Sequence, residues 1–330
     1  MKSKIIVIFA LFTILKSNFV YGDLTTAKFA GEFMAVGVGA RALAMGGAYA
    51  AAAEDVTAIY WNPAGLTSIH SFQIHGMHAE RFGGIVNWDF LGIGYSVKDS
   101  LALALGFYRL GIDDIPITRL TDPSKPLGTE NLPLVEKYIN DSEMVLMFSF
   151  GKKQSRSFSY GASIKAIRKS MDEWGAWGIG FDFGVLWNPI RQLKIGAVLM
   201  DGTSTLIAWN TGRTELLLPH FRLGAAYPVQ FHSVKVLPIC EIDMDFESRG
   251  KTAQMSLGSL GLDLHAGGEI SYKDRLFFRA GTDRGQFAVG GGFWFKHFQV
   301  DYGFLNHFDL GHTHRISLTI LLNKPIPLRF

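Results

Sequence analysis

Long stretches of this chain alternate, residue by residue, between apolar and small or polar side chains, and a period of two restricts them to β-strands. From Leu260 to Tyr272 one face reads Leu260, Leu262, Leu264, Ala266, Gly268, Ile270 and Tyr272, while the other reads Gly261, Asp263, His265, Gly267, Glu269 and Ser271. Trp177, Ile179, Phe181, Phe183, Val185 and Trp187 form a second apolar face, with Asp182 among glycines opposite. The stretches from Phe287 to Phe295 and from Phe298 to Phe304 repeat the pattern. The 37 Gly, 26 Phe, 10 Tyr and 7 Trp suit many strands with tight turns rather than a helical or doubly wound fold. A soluble β-sandwich also alternates, but it needs two inner faces of similar size, and here nearly every strand carries the aromatic side. A strand that crosses a bilayer puts apolar residues outward at every second position and is free to be polar inside. The reading is an all-β chain forming an antiparallel transmembrane barrel.

The ends of the chain and its charge agree with a barrel of the bacterial outer membrane. Lys2 and Lys4 precede an apolar run from Ile5 to Leu15, and Val20-Tyr21-Gly22 offers a cleavage site, so residues 1–22 read as a secretory signal peptide. No run approaches the roughly 20 apolar residues of a transmembrane helix. Without residues 1–22, 29 basic side chains stand against 29 acidic ones, which removes the basic footprint that nucleic acid requires. The single Cys240 excludes an intrachain disulfide and a thiol-rich metal site.

Fourteen segments carry the alternation: 68–80, 85–97, 100–111, 141–152, 156–169, 174–188, 191–201, 218–228, 233–245, 260–273, 275–283, 286–296, 298–307 and 312–322. The long connections, 112–140, 202–217 and 246–259, all fall at one end of such a barrel. The short ones, at Lys98-Asp99, Asn188-Pro189, Lys273-Asp274 and Lys296-His297, fall at the other. Short periplasmic turns and longer external loops are the usual asymmetry of these barrels, which places both termini in the periplasm. In the second segment the apolar phase moves from Val86, Trp88 and Phe90 to Leu91, Ile93 and Tyr95, which implies a bulge or a misplaced strand. A terminal Phe330 offers an assembly signal, although Pro325 and Pro327 interrupt any strand before it.

Residues 23–67 differ from the rest of the chain in being Ala/Gly-rich. They contain Gly37-Val38-Gly39-Ala40-Arg41-Ala42-Leu43, Met45-Gly46-Gly47-Ala48 and Trp61-Asn62-Pro63-Ala64-Gly65-Leu66. With Asp301-Tyr302-Gly303-Phe304 and Asp309-Leu310-Gly311-His312-Thr313-His314-Arg315 near the other end, these motifs resemble the PorV/PorQ family of outer-membrane proteins. That family is similar in fold to the long-chain fatty-acid transporter (FadL-like) barrels. His312 departs from its pattern, which leads one to expect an acid there. The resemblance implies a fourteen-stranded barrel over 68–330 with residues 23–67 as a hatch inside it.

Physical chemistry gives the hatch residues a reason. Gly37, Gly39, Gly46 and Gly47 allow close approach and positive φ in a narrow lumen. Asp55 is placed to cap a short helix that Asn62 ends, because a residue before proline is forced out of α geometry. Arg41 is expected to pair with a wall carboxylate, from a wall carrying Asp182, Asp243, Asp263, Glu269, Arg275, Arg279 and Arg315. His70, His75 and His78, and His297, His307, His312 and His314, do not converge into the three or four ligands of a metal site. Ser317 and His314 lie near each other in sequence, but nothing in their spacing selects them as nucleophile and base. Neither an enzyme nor a cofactor is expected.

Two function classes remain open. The resemblance implies a component of type IX secretion that receives secreted cargo or contacts translocon partners. Its candidate contact residues are Ile115, Ile117, Leu132 and Leu134 in the first long connection, and Leu206 and Trp209 in the second. The alternative is a FadL-like transporter that passes a hydrophobic ligand or lipid across the outer membrane.

Overall fold

Eighteen strand segments form one continuous antiparallel sheet in the computed structural model, which describes residues 32–246, 253–307 and 311–322. In chain order they are β1 (Phe72–Arg81), β2 (Val86–Lys98), β3 (Leu101–Leu120), β4 (Pro133–Lys153), β5 (Phe158–Met171), β6 (Trp174–Trp187), β7 (Lys194–Met200), β8 (Thr205–Trp209) and β9 (Thr214–Leu217). They continue as β10 (His220–Ala226), β11 (Val229–Phe231), β12 (Val234–Asp245), β13 (Met255–Leu257), β14 (Leu260–Tyr272), β15 (Leu276–Asp283), β16 (Gln286–Phe295), β17 (Phe298–His307) and β18 (Gly311–Leu322). β18 returns to pair with β1, from Phe72 opposite Leu322 to Glu80 opposite His314, so the sheet has no open edge around its girth. The result is a closed barrel of 14 antiparallel strands. The four extra segments are short pieces: β8 continues the line of β7 along β6, β9 pairs with β8, β11 pairs with the first residues of β12, and β13 pairs with β14.

Alternation decides the two faces. On β14 Leu264, Ile270 and Tyr272 are exposed while Asp263, Glu269 and Ser271 are buried; on β6 Trp177, Ile179 and Phe183 are exposed and Asp182 is buried. Large apolar side chains therefore point away from the barrel axis and ionisable ones toward it, the reverse of a soluble protein. Among the described residues no helix is long and apolar enough to cross a membrane.

Three expectations need correction. Segment 112–140 is not an irregular loop. β3 and β4 run past their neighbours as a two-stranded ribbon, pairing from Ile112 with Asp141 to Leu120 with Pro133, with register shifts at Ile112/Ile115 and Ile117/Thr118. Segment 202–217 is also largely paired: β8 bonds the upper part of β6 and β9 bonds β8. No bulge lies where the apolar phase moves, since β2 keeps unbroken register with β1 from Val86 to Gly94 and with β3 from Asn87 to Ser96, shifting only between Ser96 and Lys98. Its apolar residues change face because Val86, Trp88 and Phe90 point inward and are buried, whereas Leu91 and Ile93 point outward. The apolar residues sit on the inner face in the upper part of the strand, with Asn87 and Asp89 outside, and on the outer face below, with Gly92 and Gly94 inside, so its hydrophobic pattern changes phase without any change of backbone.

Residues 32–69 pack against the inner face. Their helices are short, Ala40–Ala44 and Ala58–Trp61, with a 3₁₀ turn at Pro63–Ser68, and almost every side chain from Val38 to Leu66 is buried. Glycines of the wall admit the segment's backbone. A Cβ on Gly303 would stand 2.7 Å from the Ala40 carbonyl oxygen and one on Gly151 2.7 Å from that of Pro63, while Cβ atoms on Gly196 and Gly281 would fall on the backbone at Ala50 and at Met45-Gly46. Small residues on both partners let two backbones run in contact inside a narrow bore. Residues 1–22, Asp309 and Leu310, and the tail with Pro325, Pro327 and Phe330 lie outside the described residues.

Candidate functional site: the lumen and its N-terminal segment

The N-terminal segment meets two kinds of wall. On the side of β1 to β5 the contact is aromatic and aliphatic. Trp88 and Tyr108 stack with ring centroids 5.2 Å apart, and Tyr60 and Phe33 approach Tyr108 at 6.3 and 6.4 Å. Val145, Met147, Ile167 and Ile59 complete one continuous core. None of these contacts is directional beyond the ring geometry.

On the opposite side the contacts are ionic and hydrogen-bonded. Arg41 donates from Nε to Glu269 Oε2 at 2.8 Å and from Nη2 to Glu269 Oε1 at 3.0 Å, a bidentate pair that fixes angle as well as distance. Arg279 joins the same carboxylate through Nε at 2.6 Å and reaches Asp301 Oδ1 through Nη1 at 2.7 Å. Arg41 Nη1 also donates to the Tyr49 hydroxyl at 3.1 Å. Burial lifts the Tyr49 phenol well above its ordinary value, so it stays protonated and donates toward Asp55 Oδ2 at 3.4 Å. Glu241 Oε2 accepts the Tyr49 and Ala50 N–H groups at 2.9 and 2.7 Å.

Arg315 acts without a carboxylate. Its guanidinium donates to the carbonyls of Val36, Gly37 and Gly39 at 3.0, 3.1 and 3.4 Å. The positive φ of Gly37 (76°) and Gly39 (83°) turns that stretch of backbone so that these carbonyls converge on the one side chain. Ser317, two residues on and on the same face of β18, accepts the Ala40 N–H at 3.3 Å.

Each remaining motif residue has a definite place. Trp61 donates from Nε1 to the Val38 carbonyl at 2.8 Å and Asn62 donates from Nδ2 to the carbonyls of Ala50 (2.8 Å) and Val185 (3.1 Å), the second on the wall. Asn62 is extended at φ −165°, which ends the helix at Trp61, and its Oδ1 accepts the Ala64 N–H at 3.1 Å beside Pro63. Gly46 (φ 69°) and Gly47 (φ 77°) turn the chain where His265 Nδ1 donates to the Gly46 carbonyl at 2.9 Å. Asp55 does not cap the helix as expected. Its carboxylate accepts the Thr57 N–H at 2.8 Å and the Thr57 hydroxyl, closing a turn ahead of the helix, whose own first residues lack a side-chain cap.

Strand parity divides the second motif. Asp301, Thr313 and Arg315 face inward and are buried, whereas Tyr302 and His314 face outward and bond each other, hydroxyl to Nδ1, at 2.8 Å. Gly311 takes a φ of 82° at the start of β18. Arg275, expected in the wall, is exposed in the turn between β14 and β15.

Of the proposed contact residues, Leu132 and Leu134 are exposed on the ribbon and Ile115 and Ile117 half-buried. Leu206 is exposed on the rim, whereas Trp209 packs against the core.

Several polar residues of the lumen went unnoticed in the sequence. Lys165 bridges Asp182 and Asp201 at 2.7 Å each, at the point where β7 breaks off before β8. Arg222, Glu241, Asp245 and Asp283 line the wall nearby, beside His265, which the alternation of Leu260–Tyr272 already set on the polar face. Parity gives the signal that was available for Lys165, Arg222, Glu241, Asp245 and Asp283, which alternation turns inward, whereas Asp201 follows β7 on the other parity and turns in through a φ of 51°.

No protein-family model matches the chain, and no curated protein matches it. Solved structures do. The chain is similar to the toluene transporter TbuX of Ralstonia pickettii with a TM-score of 0.55 and 12% identity, over 87% of this chain and 99% of that one. The toluene transporter TodX of Pseudomonas putida gives 0.53 and 12%, over 86% and 97%. A FadL homologue of Pseudomonas aeruginosa gives 0.50 and 12%, over 92% and 99%. At such identities the likeness is one of fold, and the fold it shares is the closed barrel of 14 antiparallel strands.

Proposed function

We propose that this protein is an outer-membrane channel for small molecules with apolar bodies, and that residues 32–69 form a hatch that closes its lumen at rest. The observation that carries the reading is a likeness to two toluene transporters that extends over almost the full length of each. Fold alone does not establish function, so the wall and the hatch matter to the argument.

The outward face supports a membrane position. The register aligns Gly76, Leu91, Phe107, Leu146, Ala166 and Ile179 in one apolar row across β1 to β6. The next row toward the long connections reads His78, Asp89, Arg109, Met144 and Arg168. A basic side chain at the bilayer midplane costs about 2–4 kcal/mol and near the interface about 0–1 kcal/mol, which puts this row at the upper boundary of the hydrocarbon. The β3–β4 ribbon then stands outside the cell, and the paired Phe72 and Leu322 at the other end of the barrel face the periplasm.

Uptake of monoaromatic solutes by cells with and without the protein tests the reading. Faster uptake with the protein is expected, and equal uptake overturns it.

A second reading, a secretion component that grips cargo or translocon partners, draws support from the ribbon. Beyond Gly111 β3 has no partner from β2, and before Asp141 β4 has none from β5, so two strand edges stand open beside exposed Leu132, Leu134 and Tyr138. Open edges accept added strands. Deleting 115–137 would abolish recovery of secreted proteins with the purified barrel on this reading, and would leave solute uptake intact on the first.

A further inference from the structure

The lumen also contains a chamber whose chemistry a hydrocarbon does not match. At the end of the long connections a cavity of about 110 Å³ opens above the hatch, floored by Met34, Leu43 and Trp61 with Leu217 beside them. That is of the order of the ~150 Å³ of an apolar cavity that holds one benzene. Around this apolar floor the wall is charged with both signs, five aspartates and three arginines among its lining side chains.

Asp243 is the hub of that wall. Its Oδ2 stands 3.2 Å from Arg222 Nε, 3.3 Å from His220 Nε2 and 3.6 Å from His265 Nε2. Among the described residues its Oδ1 has no partner, nor has Arg222 Nη1 or Arg315 Nε, although the three residues are only 6%, 6% and 1% exposed. Buried polar atoms left unmade cost about 1–3 kcal/mol each, and these three, one acceptor and two donors, lie just behind the surface of side chains that line one chamber. Arg222 meanwhile lies 5.0 Å over the Trp61 ring, joining the charged wall to the apolar floor. A hydrocarbon on the floor leaves every such atom unsatisfied. A carboxylate meets the aspartates and an ammonium meets the arginines, each at a like-charge cost.

We propose that this chamber binds a molecule of monoaromatic size whose head group is neutral and carries both a donor and an acceptor, a hydroxyl being the simplest case. The aromatic body rests on Trp61, Met34 and Leu43, and the head group enters the network around Asp243. The inference deepens the transport reading by naming its substrate class, but the binding itself stands without transport.

Calorimetric titration of the purified full-length protein in detergent tests it, with toluene, benzyl alcohol, benzoate and benzylammonium as probes of one shared body. Benzyl alcohol is expected to bind at least about tenfold more tightly than the other three, since a site built around hydrogen bonds rejects analogues that lack them. Toluene binding as tightly, either ion binding more tightly, or no probe binding at all overturns the proposal. Asp243→Asn is expected to reduce the preference for benzyl alcohol over toluene at least threefold. Should that variant fail to fold, His265→Gln probes the same hub and carries the same expectation, and an unchanged preference overturns the role given to the hub. Preferred binding with uptake equal in cells with and without the protein leaves the site standing and removes the transport reading. Protein-dependent uptake with toluene bound best does the reverse.

Discussion

On the β1–β5 side the lumen wall meets the N-terminal segment with Trp88, Phe90, Tyr108, Val145 and Met147, whereas on the β10–β18 side it meets it with Glu241, Glu269 and Arg315. The first surface is mostly non-directional, its few hydrogen bonds among the described residues being those of Ser163 with the Ile59 carbonyl, Met77 with the Gly39 N–H and Ser159 with Thr67, and it tolerates small shifts of its partner. The second is tied to particular oxygens and N–H groups, and a shift of one residue breaks all of it. Buried ion pairs give little net stability relative to well-packed apolar residues of the same volume, yet removing one partner leaves an expensive charge behind. The contrast assigns stability to the aromatic side and position to the ionic side.

Substitutions on each side test that division. Trp88→Ala empties a fully buried indole site and is expected to cost about 3–5 kcal/mol, read as a lower urea midpoint for unfolding in detergent. Glu269→Ala leaves both Arg41 and Arg279 without their shared carboxylate, with an expected loss of about 3–5 kcal/mol. Here the sharper experiment is the triple change Glu269→Leu, Arg41→Met and Arg279→Met, which is expected to recover most of the stability while the resting conductance in planar bilayers rises. Recovery of stability with conductance unchanged contradicts the positioning role.

Asn62→Ala removes two donations, one to the segment's own Ala50 carbonyl and one to the wall at Val185, and with them an acceptor for Ala64. About 1–3 kcal/mol is expected from the buried groups left unpaired, together with faster proton exchange at the Ala64 amide. The smallest effect belongs outside the lumen. Leu134→Ser on the exposed ribbon is expected to move stability by no more than about 0.5 kcal/mol, and any loss of partner recovery in that variant then belongs to a surface contact.

The strands were legible where one face met lipid and the other polar lumen, as on β6 and β14, because alternation records such a boundary directly. It failed where the boundary vanished. β2 turns its apolar residues inward in its upper part, against the N-terminal segment, and outward in its lower part, so Val86, Trp88 and Phe90 read as a phase error. The ribbon of β3 and β4 faces water on both sides, and its prolines at 116, 123, 126 and 133 read as loop, although Pro116 and Pro133 sit in paired strand positions.

The lumen was legible only in part for a different reason. Parity turns Glu269 inward, but which of the inward charges Arg41 meets depends on how the segment crosses the bore, and these two residues are 228 positions apart. No local pattern encodes that distance. Asp55 shows the same limit at short range: three residues before the helix, its carboxylate found the Thr57 N–H first.

β18 zips the cylinder shut against β1, and the same strand carries Arg315 and Ser317, which hold the backbone at Val36–Ala40. A piece of chain synthesised early is thus bolted by one synthesised late, across 278 positions in the case of Gly37 and Arg315. Sealing the seam and fastening the contents become a single assembly event. A chain truncated before its final strand is at once unsealed and unfastened, two defects that quality control reads at one place.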